Sequence, residues 1–261
     1  MALSSTVRWF WEHPDNRGRH LRGLGRIISF QVRARTNGGE PVIVPIGRRS
    51  QVHAVRGMSA STKVLYGNPP DPGSMGVWQR ALAPGDLFVD VGANVGTYSL
   101  IAGESGAELV AVEPNERARG WLQRNLALNG LEAEVLDVAI GAEPGTATFT
   151  SGKDTTNSFD PEGDQVVVVD TLDRIIGERR AHVKVDVEGF ELEVLAGAAA
   201  ALRSHRIELI QMEMNEDRDA ICAHLRDLGY DLFEATLDGQ LVPYDGALDL
   251  FAKPAATDAS S

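Results

Sequence analysis

The stretch Asp86-Leu87-Phe88-Val89-Asp90-Val91-Gly92-Ala93-Asn94-Val95-Gly96 decides the fold of this chain. Leu87 to Val91 reads as a short buried strand. Gly92 and Gly96 bare the backbone where something must come close, and a helix opens after them. Asp90 sets a carboxylate at the mouth of the turn. Open α/β sheets present nucleotide-like ligands at such a strand–turn–helix junction.

Outward from this stretch the apolar pattern alternates. It predicts strands over Leu87–Val91, Glu108–Val112, Leu131–Ile140, His182–Val187 and Ile207–Met214. Helices are predicted at Gly96–Gly103, Glu116–Asn129, Glu191–Leu202 and Asp217–Leu228, with a helical turn at Leu172–Ile176. Thr146–Thr150 and Gln165–Val169 read as added strands. Tyr230–Ala235 and Ala247–Ala252 read as a closing antiparallel hairpin. The fold class is therefore α/β: a mostly parallel, doubly wound, Rossmann-like sheet with an antiparallel C-terminal edge. Residues 81–253 form its domain. Residues 1–80 read as a less regular extension, a lid or dimerisation segment, with a strand at Glu40–Ile46, a proline-rich loop at Asn68–Gly73 and a short helix at Met75–Leu82. The small polar tail 254–261 is expected to be disordered.

Composition sets limits. The 261 residues carry a formal charge of −12, which disfavours electrostatic capture of nucleic acid. A local basic stretch (Arg17, Arg19, His20, Arg22, Arg26) reads as a solvated face. No apolar run is long enough to span a bilayer, and the N-terminus lacks the pattern of a signal peptide. Trp9, Phe10 and Trp11 suit packing onto the domain or a homodimer contact more than a membrane surface. Cys222 is the single cysteine, which suits a reducing, cytoplasmic setting and a buried structural thiol.

Every predicted core strand ends near a carboxylate: Asp90, Glu113, Asp137, Asp186 and Glu213. Helix dipoles explain acidic residues at helix starts such as Glu116 and Glu191. They do not explain Asp90 and Asp186, which sit within the apolar rhythm of strands. Glu113, 21 positions beyond Gly92, can accept both hydroxyls of a ribose. A dinucleotide enzyme would share that residue, but Gly92-Ala93-Asn94-Val95-Gly96 lacks the Gly-x-Gly-x-x-Gly spacing that seats a pyrophosphate. Asp90 beside the turn suits a cationic aminoacyl group instead. Ribose, adenine and a cationic end together describe S-adenosylmethionine.

The motifs Asp90-Val91-Gly92-Ala93-Asn94-Val95-Gly96, Glu113-Pro114-Asn115, Asn125-Leu126-Ala127-Leu128-Asn129-Gly130 and Val183-Lys184-Val185-Asp186-Val187-Glu188-Gly189-Phe190-Glu191 resemble the FkbM family of S-adenosylmethionine-dependent methyltransferases. The resemblance covers roughly residues 62–216 and implies a class I methyltransferase fold. It also implies O-methylation of a small hydroxylated acceptor: a sugar, a glycoside or a polyketide-type natural product. Carried over, it implies that Gly92, Asn94 and Gly96 supply the turn, and that Asp90 meets the aminoacyl end directly or through water. Glu113 would hold the ribose, Asn115 would lie beside adenine and Asp137 would accept from its amino group.

Methyl transfer to a hydroxyl needs alignment and a base. Asp186 and Glu188 lie two apart on one strand end, and Glu213 projects from the next. Asp186 or Glu213 is the expected base, with crowding expected to raise at least one carboxyl pKa. Asp186, Glu213 and Asn215 are also the oxygen donors a divalent metal would accept, though pairing with Lys184, Arg206 or the cofactor is favoured. His182 and His205 lie at the opposite ends of their elements and read as structural. Ser61–Tyr66 with the loop to Met75, and Ser151–Asp164, are the expected acceptor-side lids. Two other readings stay open: a non-catalytic cofactor-binding partner module, and an NAD-dependent oxidoreductase.

Overall fold

In the strand Leu87–Val91 every residue is buried, and alternate side chains enter two different cores. Leu87, Val89 and Val91 pack on one face, Phe88 on the other. A strand apolar on both faces needs cover on both, and the rest of the chain supplies it. The computed structural model describes residues 3–149, 163, 165–187, 189–215 and 217–256.

The N-terminal part holds helices α1 (Leu3–Glu12) and α2 (His20–Thr36), the hairpin β1 (Val42–Ile46) and β2 (Ser50–Ala54), and helices α3 (Ser59–Thr62) and α4 (Pro72–Ala81). It is more regular than its sequence implied. The arginine-rich piece forms α2 because Gly23, Ile27, Phe30 and Ala34 recur at helical spacing and face inward. Phe30, Val42, Ile46 and Val52 share one core cluster with Phe88 and Trp78.

The core follows as β3 (Leu87–Val91), α5 (Thr97–Gly103), β4 (Glu108–Val112), α6 (Glu116–Leu128) and β5 (Glu134–Leu136). A small three-stranded sheet comprises β6 (Val138–Ile140), β7 (Gly145–Phe149) and β8 (Gln165–Asp170). Then come α7 (Leu172–Ile176), β9 (Ala181–Val185), α8 (Glu191–Ala196), α9 (Ala199–Arg203), β10 (Ile207–Glu213), α10 (Arg218–Asp227), β11 (Tyr230–Ala235), β12 (Leu241–Pro243) and β13 (Asp249–Pro254). The main sheet has the order β12-β11-β13-β10-β9-β3-β4-β5. Strands β5, β4, β3, β9 and β10 run parallel, and β13 enters antiparallel between β10 and β11. This is the class I methyltransferase fold, with its antiparallel strands at the C-terminal edge.

Two predicted elements are divided. Leu131–Ile140 is two strands in two sheets, parted at Asp137, because β6 leaves β5 to pair with β8. Glu191–Leu202 is broken at Gly197, where a Cβ would stand 2.1 Å from the carbonyl of Gly141. Glycine lets these two backbones touch. His182 is buried at the amino-terminal edge, 3.5 Å from both Asp86 and Glu208. Cys222 is buried in α10. Among the described residues no helix is long and apolar enough to cross a membrane.

Candidate active site

Strand order reverses at β3, with β4 on one side and β9 on the other. A cavity of about 300 Å³ opens at the carboxyl ends of these strands, as expected at such a switch point.

One half of the cavity is built on the β3 turn and the end of β4. Gly92 has φ +73°, and a Cβ there would lie 2.0 Å from the carbonyl oxygen of Asp186, so only glycine fits. Asn94 adopts φ +52°, a conformation Asn tolerates. Its amide donates to Glu113 Oε2 at 2.8 Å, and the Asn115 amide donates to Oε1 at 2.8 Å. Burial pushes the Glu113 carboxyl up, and these two amides with Lys184 pull it only partly back. Each oxygen keeps acceptor capacity for one more donor, so the group can take a pair of hydroxyls. Asn115 lines the wall while its side chain caps α6, accepting from Ala118 N at 3.0 Å. Val138, Ala139 and Ile140 form an apolar stretch of wall.

Three residues singled out from sequence stand off this wall. Gly96 starts α5 beside Leu122. Asp137 is exposed between β5 and β6, and the three apolar residues after it face the cavity instead. Asp90 is fully buried beneath the turn. Its Oδ2 accepts from the amide and hydroxyl of Ser99 at 3.0 and 2.7 Å, and its Oδ1 lies 3.5 Å from Lys184 Nζ. Asp90 thus anchors α5 and Lys184 and does not itself reach the cavity surface.

The other half gathers charge. Lys184 is buried, donates to Gly92 O and to Asp186 Oδ2 at 3.2 Å each, and lies 5.2 Å over the Tyr98 ring. Burial opposes its charge, but Asp186 and Asp90 outweigh burial and raise the ammonium above its ordinary value. Asp186 and Glu213 share the wall and a hydrogen bond. Burial pushes Asp186 up, yet Lys184, Glu213 and Lys63 outweigh it and hold the carboxyl below its ordinary value. The crowding therefore does not raise Asp186. Asp249 is raised, chiefly by burial and secondarily by the nearby Asp71 and Asp186, against the hydroxyl of Ser74, 2.6 Å away. Asp249 pairs directly with Glu213 across β13 and β10. Tyr98 donates to Asp71 Oδ2 at 3.3 Å and accepts from Gln211, whose Oε1 accepts from Trp78 Nε1 at 2.5 Å. Asp71, Tyr98, Gln211 and Asp249 carried no motif in sequence, because contacts between distant segments assemble them.

Lys63 and Pro70 reach the wall from the segment expected to act as a lid, whereas Tyr66 packs into the core beside it. Glu188 lies outside the described residues, as does the Ser151–Asp164 segment apart from Gly163. Among the described residues no group of three or more His, Cys, Asp or Glu side chains is placed to hold a metal ion. Asn215 instead donates to Glu191.

Residues 90–232, from Asp90 through Glu113, Asp186 and Glu213 into β11, match the methyltransferase FkbM domain. The chain belongs to the FkbM methyltransferase family. The chain is 30% identical over 145 residues to hexuronic acid methyltransferase AglP of Haloferax volcanii, a match covering 51% of this chain and 58% of AglP. Among solved structures it is similar to methyltransferase FkbM from Methylobacillus flagellatus KT, at 16% identity and a TM-score of 0.48, over 91% of this chain and 60% of that one. It is also similar to the T. thermophilus 16S rRNA N2 G1207 methyltransferase RsmC in complex with AdoMet and guanosine, at 18% identity and a TM-score of 0.48, over 82% and 50%. The FkbM chain described here thus spans 50 to 60% of the length of these relatives.

Proposed function

We propose that the protein transfers a methyl group from S-adenosylmethionine to a hydroxyl of a small sugar-like acceptor. The observation that carries this reading is the joining, in one cavity, of a prepared diol acceptor at Glu113 with a carboxylate pair at Asp186 and Glu213.

The residues fit that cofactor. Glu113 would hold the ribose hydroxyls, and Val138, Ala139 and Ile140 offer an apolar seat for adenine. Among the described wall residues, Asp71, Glu113, Asp186 and Glu213 outnumber the cations Lys63 and Lys184. That sign favours a cationic ligand over a pyrophosphate, and hence S-adenosylmethionine over NAD. Bound there, the cofactor supplies an electrophilic methyl group.

The same sign argues for a hydroxyl acceptor. A carboxylate acceptor would face Asp186 and Glu213 and be repelled; a hydroxyl can donate to them. Asp186, kept ionised by Lys184, accepts the hydroxyl proton as the oxygen takes the methyl group, with Glu213 beside it on the wall. Lys184 fixes the Asp186 carboxylate against the turn at Gly92, so the base cannot swing away. The likeness to a hexuronic acid methyltransferase supports a sugar acceptor.

Two measurements test this. Calorimetry should detect S-adenosylhomocysteine and not NAD; the reverse result would return the site to an oxidoreductase. With labelled donor and a panel of hexuronosides and neutral glycosides, Asp186→Asn and Glu213→Gln should each lower kcat by about 10²–10⁴-fold at saturating donor. Near-normal turnover in both would rule out the carboxylate pair as base, and binding without turnover of any acceptor would favour a partner module.

A further inference from the structure

Helix α2 has two apolar faces. One, with Phe30 and Ala34, is buried in the core. The opposite face carries Leu21, Leu24, Ile28 and Val32, exposed by 86, 39, 62 and 55%. At about 100° per residue these four fall within an arc of roughly 80°. Helix α1 adds Val7 and Trp11, one turn apart and about half exposed. The Trp11 ring lies edge-on to His20 at 4.3 Å, next to Leu21, so the two stripes adjoin.

This patch is basic, whereas the protein is acidic. The first 36 residues hold seven arginines against Glu12 and Asp15, a charge of +5, so the remainder carries −17 of the total of −12. Arg26 pairs with Asp15 and Arg8 with Glu12, whereas Arg17, Arg19, Arg22 and Arg33 are exposed around the stripe. Arginine stems can lie along apolar surface while their guanidinium groups meet phosphates.

We propose that α1 and α2 dock on an anionic phospholipid surface, lying in its plane with Trp11, Leu21, Ile28 and Val32 inserted. Apolar residues flanked by unpaired basic charge fit that surface. A second copy fits less well: a two-fold pairing of α2 with itself would set +4 against +4. A nucleic acid would use the arginines but has no use for the stripe. The docked unit is tied to the cavity wall. Arg26 donates to Leu65 O at 2.8 Å, Asn16 to Tyr66 O at 2.5 Å and His13 to Pro69 O at 2.9 Å, beside Lys63, Pro70 and Asp71.

The test is flotation of the full chain with phosphatidylcholine vesicles, with and without phosphatidylglycerol. The wild type should float with the anionic vesicles only and be released by high salt. The triple variant Leu21→Glu, Ile28→Glu, Val32→Glu should lose binding by about tenfold or more, since each position faces solvent. An unchanged unfolding midpoint and unchanged S-adenosylhomocysteine binding would show that the variant is folded. Three results overturn the proposal: a wild type that never floats, a triple variant that floats equally well, or light scattering that finds a wild-type dimer and a monomeric variant. The second would reduce the patch to a phosphate-binding surface, and the third would assign it to a second copy.

Discussion

On the donor side of the cavity, Glu113 is held by amides two and nineteen residues away in the chain. Behind the wall proposed to face the acceptor, Asp249, paired with Glu213 of that wall, is held by Ser74 from 175 residues away, and Gln211 by Trp78 from 133. The donor side is a local device: a strand, a glycine turn and the next strand end. The acceptor side is a product of tertiary assembly, where α4 brings Ser74 and Trp78 against β10 and β13. A ligand pocket common to a family can be written in short motifs.

Lys184 is where the two halves meet, and its replacement should have the largest effect. Its ammonium touches Gly92 O and Asp90 on one side and Asp186 on the other, with only 5% of its side chain exposed. Lys184→Met leaves Asp90 as a buried anion without its cation. The expected loss is about 3–5 kcal/mol of unfolding free energy in urea titration. Asp90→Asn added to Lys184→Met should recover part of it, because the orphaned charge is then gone. If Lys184→Met unfolds at the wild-type midpoint, the ion pair does not join the halves, and the comparison loses its hinge.

This contrast also accounts for what the sequence disclosed. The strands β3, β4, β9 and β10 were legible because their apolar runs are continuous, and Glu113 because motif spacing places it at the end of β4. The parting at Asp137 was not legible: Leu131–Ile140 has one apolar rhythm, and only the pairing of β6 with β8 shows where it divides. Helix α2 was obscured by its arginines, which mask a helical repeat of Gly23, Phe30 and Ala34. Asp90 was legible as special but not in its role. Its burial signals a structural anchor for Ser99 and Lys184 as readily as a ligand contact, and only the side-chain geometry separates the two. Asp71 lies in a loop and Asp249 at the start of the inserted strand β13, with no pattern around either, and their proximity is purely tertiary.

Glu113→Gln should separate the halves with a smaller effect. The amide keeps the shape but loses the charge that two backbone N–H groups and a diol would share. Charge-assisted hydrogen bonds contribute about 1.5–3 kcal/mol, so S-adenosylhomocysteine should bind roughly 10–150-fold more weakly in calorimetry. The acceptor KM at saturating donor should be unchanged. A matching rise in acceptor KM would mean that the two sides respond as one.

The smallest effect, and the sharpest contrast, is in pH. Burial raises the Glu113 carboxyl above its ordinary value, while Lys184 and its neighbours hold Asp186 below its own. As pH is lowered, Glu113 therefore gains its proton before Asp186 does. S-adenosylhomocysteine affinity should fall as Glu113 titrates, and the Glu113→Gln profile should be flat. Stability has its own pH dependence. A depressed carboxyl such as Asp186 stabilises the fold above its unfolded value, and that contribution fades only as pH drops through the lower folded value. The buried His13 and His182, both lowered by burial, act in the same direction at higher pH, because the unfolded chain takes up their protons first as pH falls below the ordinary histidine value. Their effect on the melting temperature is common to wild type and Glu113→Gln, so the difference between the two binding profiles isolates Glu113. If Glu113→Gln keeps the wild-type pH slope, the titrating group lies elsewhere, and the donor side owes its pH response to the acidic cluster across the cavity.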